Sequence, residues 1–402
     1  MYYRQPRYFG EFKCVGGDCL ENCCYGWRID WSKSEIDKVK NAENISSELK
    51  ELVENSFIQN ETNDSEFQIK FDDHGKCPFQ TEEGLCKIQR ELGAEYLSHT
   101  CTVYPRCYIA AGNALYRYCY TSCPAVIGKF LSDENSCNLV NVSADKDKGK
   151  KYVAVDQAKN EKKYPELKYR ADLFEFFYEL ISDKKIPIES AIILGALAAQ
   201  KLTELVALKE YDKIPEALKT FRKQFHNAAQ LNSIENIKPN YHLKFGFLSQ
   251  IIEEIVENGA TILLRDETGT LNIDLYNEGE WRLREALTGR EFFLRNLALN
   301  LLFEFATPFK FHEKTIFENY SLFAASFGLL KLNLIAVCSV DKGINFRTCG
   351  QAFVYHGDNK LVGMSAIISR GICQSVGKEE LIIKRLNDNK FTSPAYLALL
   401  VK

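Results

Sequence analysis

Residues 14–27 read Cys14-Val15-Gly16-Gly17-Asp18-Cys19-Leu20-Glu21-Asn22-Cys23-Cys24-Tyr25-Gly26-Trp27. This stretch holds four thiols and three glycines. Glycine has no side chain, so it allows backbone to come close to a compact inorganic centre. The stretch therefore predicts a loop region built around thiol ligands.

Two further groups of thiols follow it. Cys77 and Cys86 form the second group, and the third contains Cys101, Cys107, Cys119 and Cys123. Of the fourteen cysteines in the 402 residues, eleven lie at or before Cys137, and the other three, Cys338, Cys349 and Cys373, are scattered. The first third of the chain is thus a cysteine domain, and the rest is not.

Composition restricts the compartment and the partners. The first residues carry no apolar segment and are not expected to act as a signal peptide. The best membrane-span candidate, residues 322–340, is interrupted by Lys331 and Asn333, so we expect a buried helix there. A cytoplasmic protein keeps its thiols reduced, which favours metal binding or redox chemistry over disulfides. A net charge of −3, with 46% apolar residues, predicts neither a nucleic-acid nor a membrane partner, and the oligomeric state stays open.

The fold class that the sequence predicts is mainly α. Residues 1–140 are expected to form a cysteine-rich domain of loops and helices, with an acidic helical insert near 34–57. Residues 141–168, rich in lysine, predict a charged linker, and residues 169–402 a mostly helical domain. Apolar residues there recur every three or four positions, with long helices expected at 278–305 and 314–338. A hairpin is possible at 261–275, and residues 350–370 are expected to form either a hairpin or a helical break.

The spacing of the thiols leaves the metal open between zinc and iron–sulfur. Two Cys-x-x-Cys pairs are typical of a zinc ribbon, and the chain contains none. Neighbouring side chains of an extended segment point in opposite directions, so Cys23 and Cys24 suit a polynuclear cluster or two centres better than one tetrahedral ion. The three-cysteine motif of radical S-adenosylmethionine enzymes is broken by Gly26, and no phosphate-binding glycine loop occurs.

Four motifs taken together are specific. They are Phe12-Lys13-Cys14 with Cys19, Cys23, Cys24, Gly26 and Trp27; Gly75-Lys76-Cys77-Pro78-Phe79 with Gly84-Leu85-Cys86; Leu97-Ser98 and Thr100-Cys101 with Tyr104-Pro105-Arg106; and Ser122-Cys123-Pro124. In this combination the first 130 or so residues resemble the flagellin lysine-N-methylase family, within a wider group of cysteine-cluster proteins that chelate iron or zinc. A weaker likeness extends to the aromatic and leucine-rich stretch 292–309.

The resemblance implies an enzyme, a protein-lysine N-methyltransferase that transfers methyl groups from S-adenosylmethionine to surface lysines of flagellin in bacteria. It also implies an iron–sulfur cluster, expected to be 4Fe–4S, with zinc as the alternative metal. The ligands carried over are Cys14, Cys19, Cys23, Cys24, Cys77, Cys86, Cys101 and Cys123. Cys107, Cys119 and Cys137 lie outside the pattern and are expected to be packing thiols, and no catalytic residue is identified.

Two other residues are candidates for binding the cofactor. Arg106 follows Cys101 closely, and its guanidinium can pair with a carboxylate of the cofactor or donate to cluster sulfur. Trp27 follows the Cys23–Cys24 pair and can shield the centre or stack on adenine. The alternatives without a role in cofactor binding are a structural salt bridge for Arg106 and shielding alone for Trp27.

Two functions of other classes compete with the enzyme. In one, the cysteines stabilise a non-enzymatic zinc- or iron-chelating module whose helices bind partner proteins. In the other, the chain is a redox-sensing iron–sulfur protein. No acid–base pair or nucleophile motif in the helical half separates these functions from the enzyme.

Overall fold

Strand β1 (Tyr2–Pro6) pairs with strands that come much later in the sequence. The structure is a computed structural model, and it describes residues 2–60, 63–111, 114–143, 153–154, 164–256, 259–305, 314–340, 344–348, 351–374 and 377–402. Strand β1 runs parallel to β6 (Ala114–Cys119) and antiparallel to β7 (Leu139–Ser143). Strand β6 pairs antiparallel with β5 (Arg106–Ala111), and β5 pairs parallel with β8 (Val153–Ala154). They form one sheet in the order β7-β1-β6-β5-β8.

The cysteine insertion, residues 14–101, lies between β1 and β5 and has its own small sheet. Its strands are β2 (Asp30–Ser32), β3 (Phe57–Asn60) and β4 (Asn63–Ile69), antiparallel in the order β2-β4-β3. The expected acidic helical insert is confirmed as two helices, α2 (Lys33–Lys40) and α3 (Ser47–Asn55). Helix α2 begins at a capping box between Ser32 and Glu35, which satisfies backbone donors at the helix start.

Short helices complete the N-terminal part: α1 (Arg7–Glu11) after β1, and α4 (Lys87–Leu92) and α5 (His99–Val103) within the cysteine insertion. The insertion buries an apolar core of its own, made of Ile29, Trp31, Ile36, Val39, Leu49, Val53, Ile69, Cys77, Phe79 and Ile88. Two of these residues, Trp31 and Phe79, are aromatic rings that pack with Phe57. The insertion therefore holds its loops on a folded support.

The rest of the chain is mostly helical, as predicted. We call residues 164–402 the helical body. The helices from α6 onward are α6 (Pro124–Ser132), α7 (Arg170–Ser182), α8 (Ile188–Ala207), α9 (Ile214–Gln224), α10 (Ala228–Glu235), α11 (Tyr241–Ile255), α12 (Ile273–Ala286), α13 (Phe292–Phe305), α14 (Ile316–Cys338), α15 (Asp358–Cys373), α16 (Lys378–Asp388) and α17 (Pro394–Val401). A hairpin of β9 (Ile344–Thr348) and β10 (Gln351–Tyr355) interrupts them.

The structure differs from the sequence prediction in three segments. One helix over 278–305 is wrong, because the chain turns at Gly289, whose φ is +73°, between α12 and α13. The possible hairpin at 261–275 is reduced to a single bridge between Arg265 and Leu271. The stretch 350–370 contains both of its alternatives, since β10 ends at Tyr355 and α15 begins at Asp358.

Helix α14 is the centre of the helical body. Nearly all of its residues are buried, and it packs against α8, α12, α13, α15 and α17. Its polar residues have partners: Lys331 Nζ donates to Glu189 Oε1 at 2.7 Å, and Asn333 Oδ1 accepts from the Ala260 N–H at 3.0 Å. By length and composition α8 and α14 could each cross a membrane, but both lie mostly inside the protein, as a soluble fold allows.

The five-stranded sheet packs directly on the helical body. The rings of Tyr118 on β6 and Phe303 on α13 stack at 5.4 Å, and Tyr116 meets Phe174 on α7 at 5.2 Å. One apolar core therefore runs from Tyr3 to Val401. The division at residues 140 and 168 stays a prediction. Residues 144–152 and 155–163 of the predicted linker, with residues 308, 309 and 349, lie outside the described residues.

Gly279→Ala should destabilise the protein. A Cβ at Gly279 on α12 would lie 2.3 Å from the backbone oxygen of Ile335 on α14, so the two helices would have to separate. We expect the free energy of unfolding to fall by about 1–3 kcal/mol in urea denaturation. Gly246→Ala on α11 is the matched control, because a Cβ there meets nothing within 4 Å; it should gain about 0.5–1 kcal/mol of helix propensity. Equal stability of the two variants would contradict the close packing.

Candidate functional site

Two loops of the cysteine insertion meet through their glycines. A Cβ on Gly17 would lie 2.7 Å from the backbone oxygen of Glu83, so the loop that carries Cys14 and Cys19 can approach the loop before Cys86 only with glycine there. Gly16 and Gly84 both adopt positive φ, at +61° and +74°. The glycines noted in the sequence thus serve the contact between two thiol-bearing loops.

Backbone hydrogen bonds join the second group of thiols to the first. The Cys77 N–H donates to the carbonyl of Cys24 at 2.9 Å, and the Gly26 N–H donates to the carbonyl of Gly75 at 2.9 Å. Cys101 lies in α5, which begins where Ser98 Oγ accepts from the Cys101 N–H at 3.1 Å. Segments far apart in sequence are therefore held side by side at Cys23–Cys24.

The eight cysteines predicted as ligands, which we call the cysteine group, lie in one region around Cys23. Burial raises the pKa of several thiols, and the charge of Cys23 raises each of them further: Cys19, Cys77, Cys86, Cys101 and Cys123. Cys14 acts on Cys19 in the same way. Because such charge effects need short separations, the group is a spatial cluster.

Most of these thiols are held in the neutral form. The pKa of Cys19 rises to about 11, and the pKa values of Cys101 and Cys123 rise to about 12, chiefly because burial disfavours the thiolate. Cys23 is the exception. Its pKa falls to about 7, because the Cys24 thiol donates a hydrogen bond to its sulfur and the Arg370 charge lies near. Cys23 is therefore the preferred thiolate of the group.

The chemistry of the cysteine group fits a metal centre, but the positions of its side chains do not. Thiolates are the ligands that zinc and iron–sulfur centres prefer, so the chemistry of the cysteine group fits such a centre. Their positions do not form a ligand shell: among the described residues, no three His, Cys, Asp or Glu side chains are placed to hold a metal ion. The thiol side chains would have to rotate to bind a metal ion, and no step of the reaction is assigned to such an ion.

A buried ion pair ties the cysteine insertion to the helical body. Glu21, between Cys19 and Cys23, is only 2% exposed. Arg370 on α15 donates to Glu21 Oε2 at 3.3 Å and to the Glu21 carbonyl at 3.2 Å, and the hydroxyl of Tyr355 on β10 donates to Oε1. Both carboxylate oxygens are thus bound from the helical body, which the buried charge requires.

A second contact involves Trp27. Its Nε1 donates to the carbonyl of Cys23 at 2.6 Å, and its ring lies 5.0 Å from the ring of Tyr104. The hydroxyls of Tyr104 and Ser122 are 3.1 Å apart, and Gln374 Nε2 donates to Ser122 Oγ at 2.9 Å. Trp27 is therefore fixed beside the cysteine group, where the prediction of shielding or stacking placed it; its role in cofactor binding stays a prediction.

Arg106, the other predicted cofactor ligand, begins β5 and is half-buried. Its guanidinium lies over the ring of Phe12 at 4.8 Å, and its charge lowers the pKa of Cys119, which burial raises. In the part of the chain that the structure describes, Arg106 has no hydrogen bond or ion pair through its side chain. The alternative, a structural salt bridge of Arg106, is thus not seen among the described residues, and cofactor binding stays a prediction.

Helix α13 carries a polar stripe that was not predicted from the sequence. Asn296, Asn300 and Glu304 are buried four positions apart in a helix otherwise full of Phe and Leu. Glu304 Oε1 accepts from Thr121 Oγ1 at 2.7 Å and from Asn300 Nδ2 at 3.1 Å, while Oε2 accepts from Cys373 Sγ at 3.0 Å. The signal was available, because polar residues four apart share one face of a helix. Cys373, expected to be inert, is part of this cluster.

We use the name seam for the contact that the cysteine insertion, Tyr104 and residues 119–123 make with the helical body. Its residues are Glu21, Trp27, Tyr104, Thr121, Ser122, Glu304, Tyr355, Arg370, Cys373 and Gln374.

Known proteins resemble much of this chain. The family model of the FliB lysine N-methylase C-terminal domain matches residues 174–400. The lysine-N-methylases of Salmonella typhimurium and Salmonella choleraesuis are each 25% identical over 254 residues, which cover 61% of this chain and 59% of the relative. The match therefore spans less than two thirds of those relatives. The flagellar biosynthetic protein FliU of Salmonella muenchen is 30% identical over 137 residues, 34% of this chain and 80% of the relative. No solved structure matches the chain.

Arg370→Met should lower the stability of the protein, because Glu21 is buried and charged. The substitution keeps an unbranched apolar stem but leaves the carboxylate without its cation, so we expect the free energy of unfolding to fall by about 3–5 kcal/mol in urea denaturation. Adding Glu21→Gln should recover part of that loss. Arg290→Met is the control, because Arg290 pairs with the exposed Asp358 and should cost about 0–1 kcal/mol. Purely additive effects of the Arg370 and Glu21 substitutions would argue against the pair.

Proposed function

The chain belongs to the FliB lysine N-methylase family, whose C-terminal domain covers residues 174–400 here, and we propose that it is a protein-lysine N-methyltransferase. The family match over the helical body is the observation that carries this proposal. The relatives named lysine-N-methylase support it. The matched region contains Tyr355 and Arg370, which bind Glu21, so the family domain and the cysteine group form one unit.

We propose surface lysines of flagellin as the substrate and the cytoplasm as the compartment. The name of the FliU relative, a flagellar biosynthetic protein, supports a flagellar role. The motifs of the first 130 residues resemble flagellin lysine-N-methylases independently of that relative. A flagellin chain is accessible to a cytoplasmic enzyme before export, so a methylase in this compartment meets its substrate there.

The reaction needs a neutral lysine amine. We propose S-adenosylmethionine as the methyl donor. The lone pair of the lysine nitrogen attacks the sulfonium methyl, the N–C bond forms as the S–C bond breaks, and S-adenosylhomocysteine leaves. Lysine has a pKa of about 10.4 in water, so at neutral pH its ammonium must lose a proton before it attacks. A group of the enzyme or water has to accept that proton.

We assign Glu304 as that proton acceptor. Burial raises the pKa of Tyr104, Tyr118 and Tyr120, so these phenols stay protonated and can only donate to the substrate. Glu21 already carries Arg370 and Tyr355 on its oxygens. Glu304 is oriented by Thr121 and Asn300, and its Oε2 accepts from the thiol of Cys373, a weak donor that an ammonium can displace.

Incubation with flagellin and S-adenosylmethionine under anaerobic conditions should add mass in steps of one methylene group per transfer, read by intact mass spectrometry. Glu304→Gln keeps the size of the side chain and should slow the transfer about 100-fold or more. Glu291→Gln, an exposed glutamate beside α13, is the control and should match the unmodified enzyme.

The two parts of this proposal fail separately. No added mass with the unmodified enzyme, under conditions that keep the cysteine group reduced, would contradict the methyltransferase. Transfer at the normal rate by Glu304→Gln would contradict only the role of Glu304. In that case the proton leaves by another route and the enzyme assignment stands.

We further propose that the cysteine group binds an iron–sulfur cluster, with zinc as the alternative. The thiols of the group lie near Cys23, and Cys19, Cys101 and Cys123 are protonated chiefly because burial disfavours their thiolates. A bound cation reverses that preference, because it stabilises the deprotonated sulfur. A bound cluster would supply a redox-capable centre at the seam; orienting the substrate and moving its proton belong to the residues of the chain.

Anaerobic purification should yield a brown protein whose visible absorption decreases when dithionite is added. Cys23→Ser and Cys77→Ser should lose the colour and the bound iron, because each removes a thiol from the cysteine group. Cys338→Ser is the control, since this half-buried thiol at the end of α14 lies outside the group. A colourless protein with stoichiometric zinc would replace the cluster by zinc, and a metal-free protein would contradict both.

A further inference from the structure

A cleft lies where the cysteine insertion meets the end of α15. Its cavity volume is about 310 Å³, and Gly26, Trp27, Arg28, Gln68, Phe71 and Gln374 line it. This volume is at the lower end of the roughly 300–1,000 Å³ of small-molecule sites. The size suits a single nucleoside better than a peptide or a larger cofactor.

One wall of the cleft is an indole held in place from behind. Trp27 is half-buried, and both its hydrogen bond to the carbonyl of Cys23, at 2.6 Å, and its contact with the ring of Tyr104 fix its orientation. Gly26, beside it in the cleft, has a φ of +62°, which any other residue would adopt with strain. A fixed aromatic ring next to a residue without a side chain is a surface on which a flat heterocycle can stack.

Among the described residues, a buried polar group without a partner also lines the cleft. Gln374 follows α15, and its Nε2 is occupied by the 2.9 Å hydrogen bond to Ser122 Oγ. Its Oε1 is buried and accepts no hydrogen bond within the described part of the chain. A buried acceptor left without a donor is costly, and native proteins normally supply one. This acceptor without a donor therefore favours a ligand that donates an N–H.

We infer that this cleft binds the adenosine part of the methyl donor, with the adenine ring against Trp27 and its N6 amino group donating to Gln374 Oε1. This inference rests on the proposed function only for the identity of the whole donor molecule. The adenine amino group is the donor that Gln374 lacks, and among the described residues no carboxylate lines the cleft to favour a cation instead. The hydrogen bond of Trp27 to Cys23 places the nucleoside directly beside the cysteine group.

Binding without turnover tests the inference. S-adenosylhomocysteine and adenosine are titrated into the full-length protein, by calorimetry and by tryptophan fluorescence. The chain has three tryptophans, and Trp281→Phe removes the one that is 60% exposed on α12 and does not line the cleft. Trp27 and the buried Trp31 remain in that background, so saturable quenching that disappears when Trp27→Phe is added should report Trp27. Trp281→Phe itself is the control and should leave both affinities unchanged.

Two variants test the two contacts proposed for the nucleoside, the ring of Trp27 and the side-chain oxygen of Gln374. Trp27→Ala should weaken the binding of S-adenosylhomocysteine about tenfold or more, the usual effect of removing one stacking platform. Gln374→Leu should weaken adenosine but not inosine, whose O6 cannot donate to the glutamine oxygen. Trp27→Phe should keep part of the affinity, which separates a lost ring from a disturbed loop, and circular dichroism checks that each variant folds.

Each outcome has one meaning. Unchanged affinity in both Trp27→Ala and Gln374→Leu would overturn the inference, and so would the absence of any binding of either ligand. If binding shifts as expected but flagellin gains no mass, the cleft stands as a nucleoside site and the proposed function fails. If flagellin is methylated while both variants bind normally, the proposed function stands and the donor binds elsewhere.

Discussion

The buried carboxylate of Glu21 is the constraint on which the site depends. A carboxylate that is only 2% exposed needs partners for both oxygens. Arg370 and Tyr355, both in the helical body, provide them. Because Cys19 and Cys23 lie on either side of Glu21, this pair also positions the thiols. The cysteine insertion and the helical body therefore take up their functional arrangement together.

The seam is built from two helices that present polar residues to the N-terminal part. Helix α13 contributes Asn300 and Glu304, and α15 contributes Arg370, with Gln374 just past its end. In both pairs the residues are four positions apart, so each pair lies on one helix face. All four belong to the segment that matches the FliB family. The region matched by the family is thus the region that completes the site.

The cysteine group shows why thiol ligands need both burial and charge. Burial, reinforced by the charge of Cys23, raises the pKa of Cys19, Cys101 and Cys123 and keeps them protonated, which protects them from oxidation and leaves them weak ligands. Cys23 differs, because the thiol of Cys24 and the charge of Arg370 stabilise its thiolate. A metal that arrives at this thiolate would deprotonate its neighbours in turn. The adjacent cysteines, unsuited to one tetrahedral ion, are suited to starting such a process.

By itself the sequence determined the features that depend on neighbours along the chain. Apolar residues at helical spacing predicted the helices of residues 169–402, and the grouped cysteines predicted one thiol-rich region, because contacts between positions three and four apart are local. Tertiary structure alone decided the rest. The five-stranded sheet needs β1 to meet β6, and the ion pair needs Glu21 to meet Arg370. These contacts join segments more than a hundred residues apart, and no local pattern records which distant segment will supply the partner.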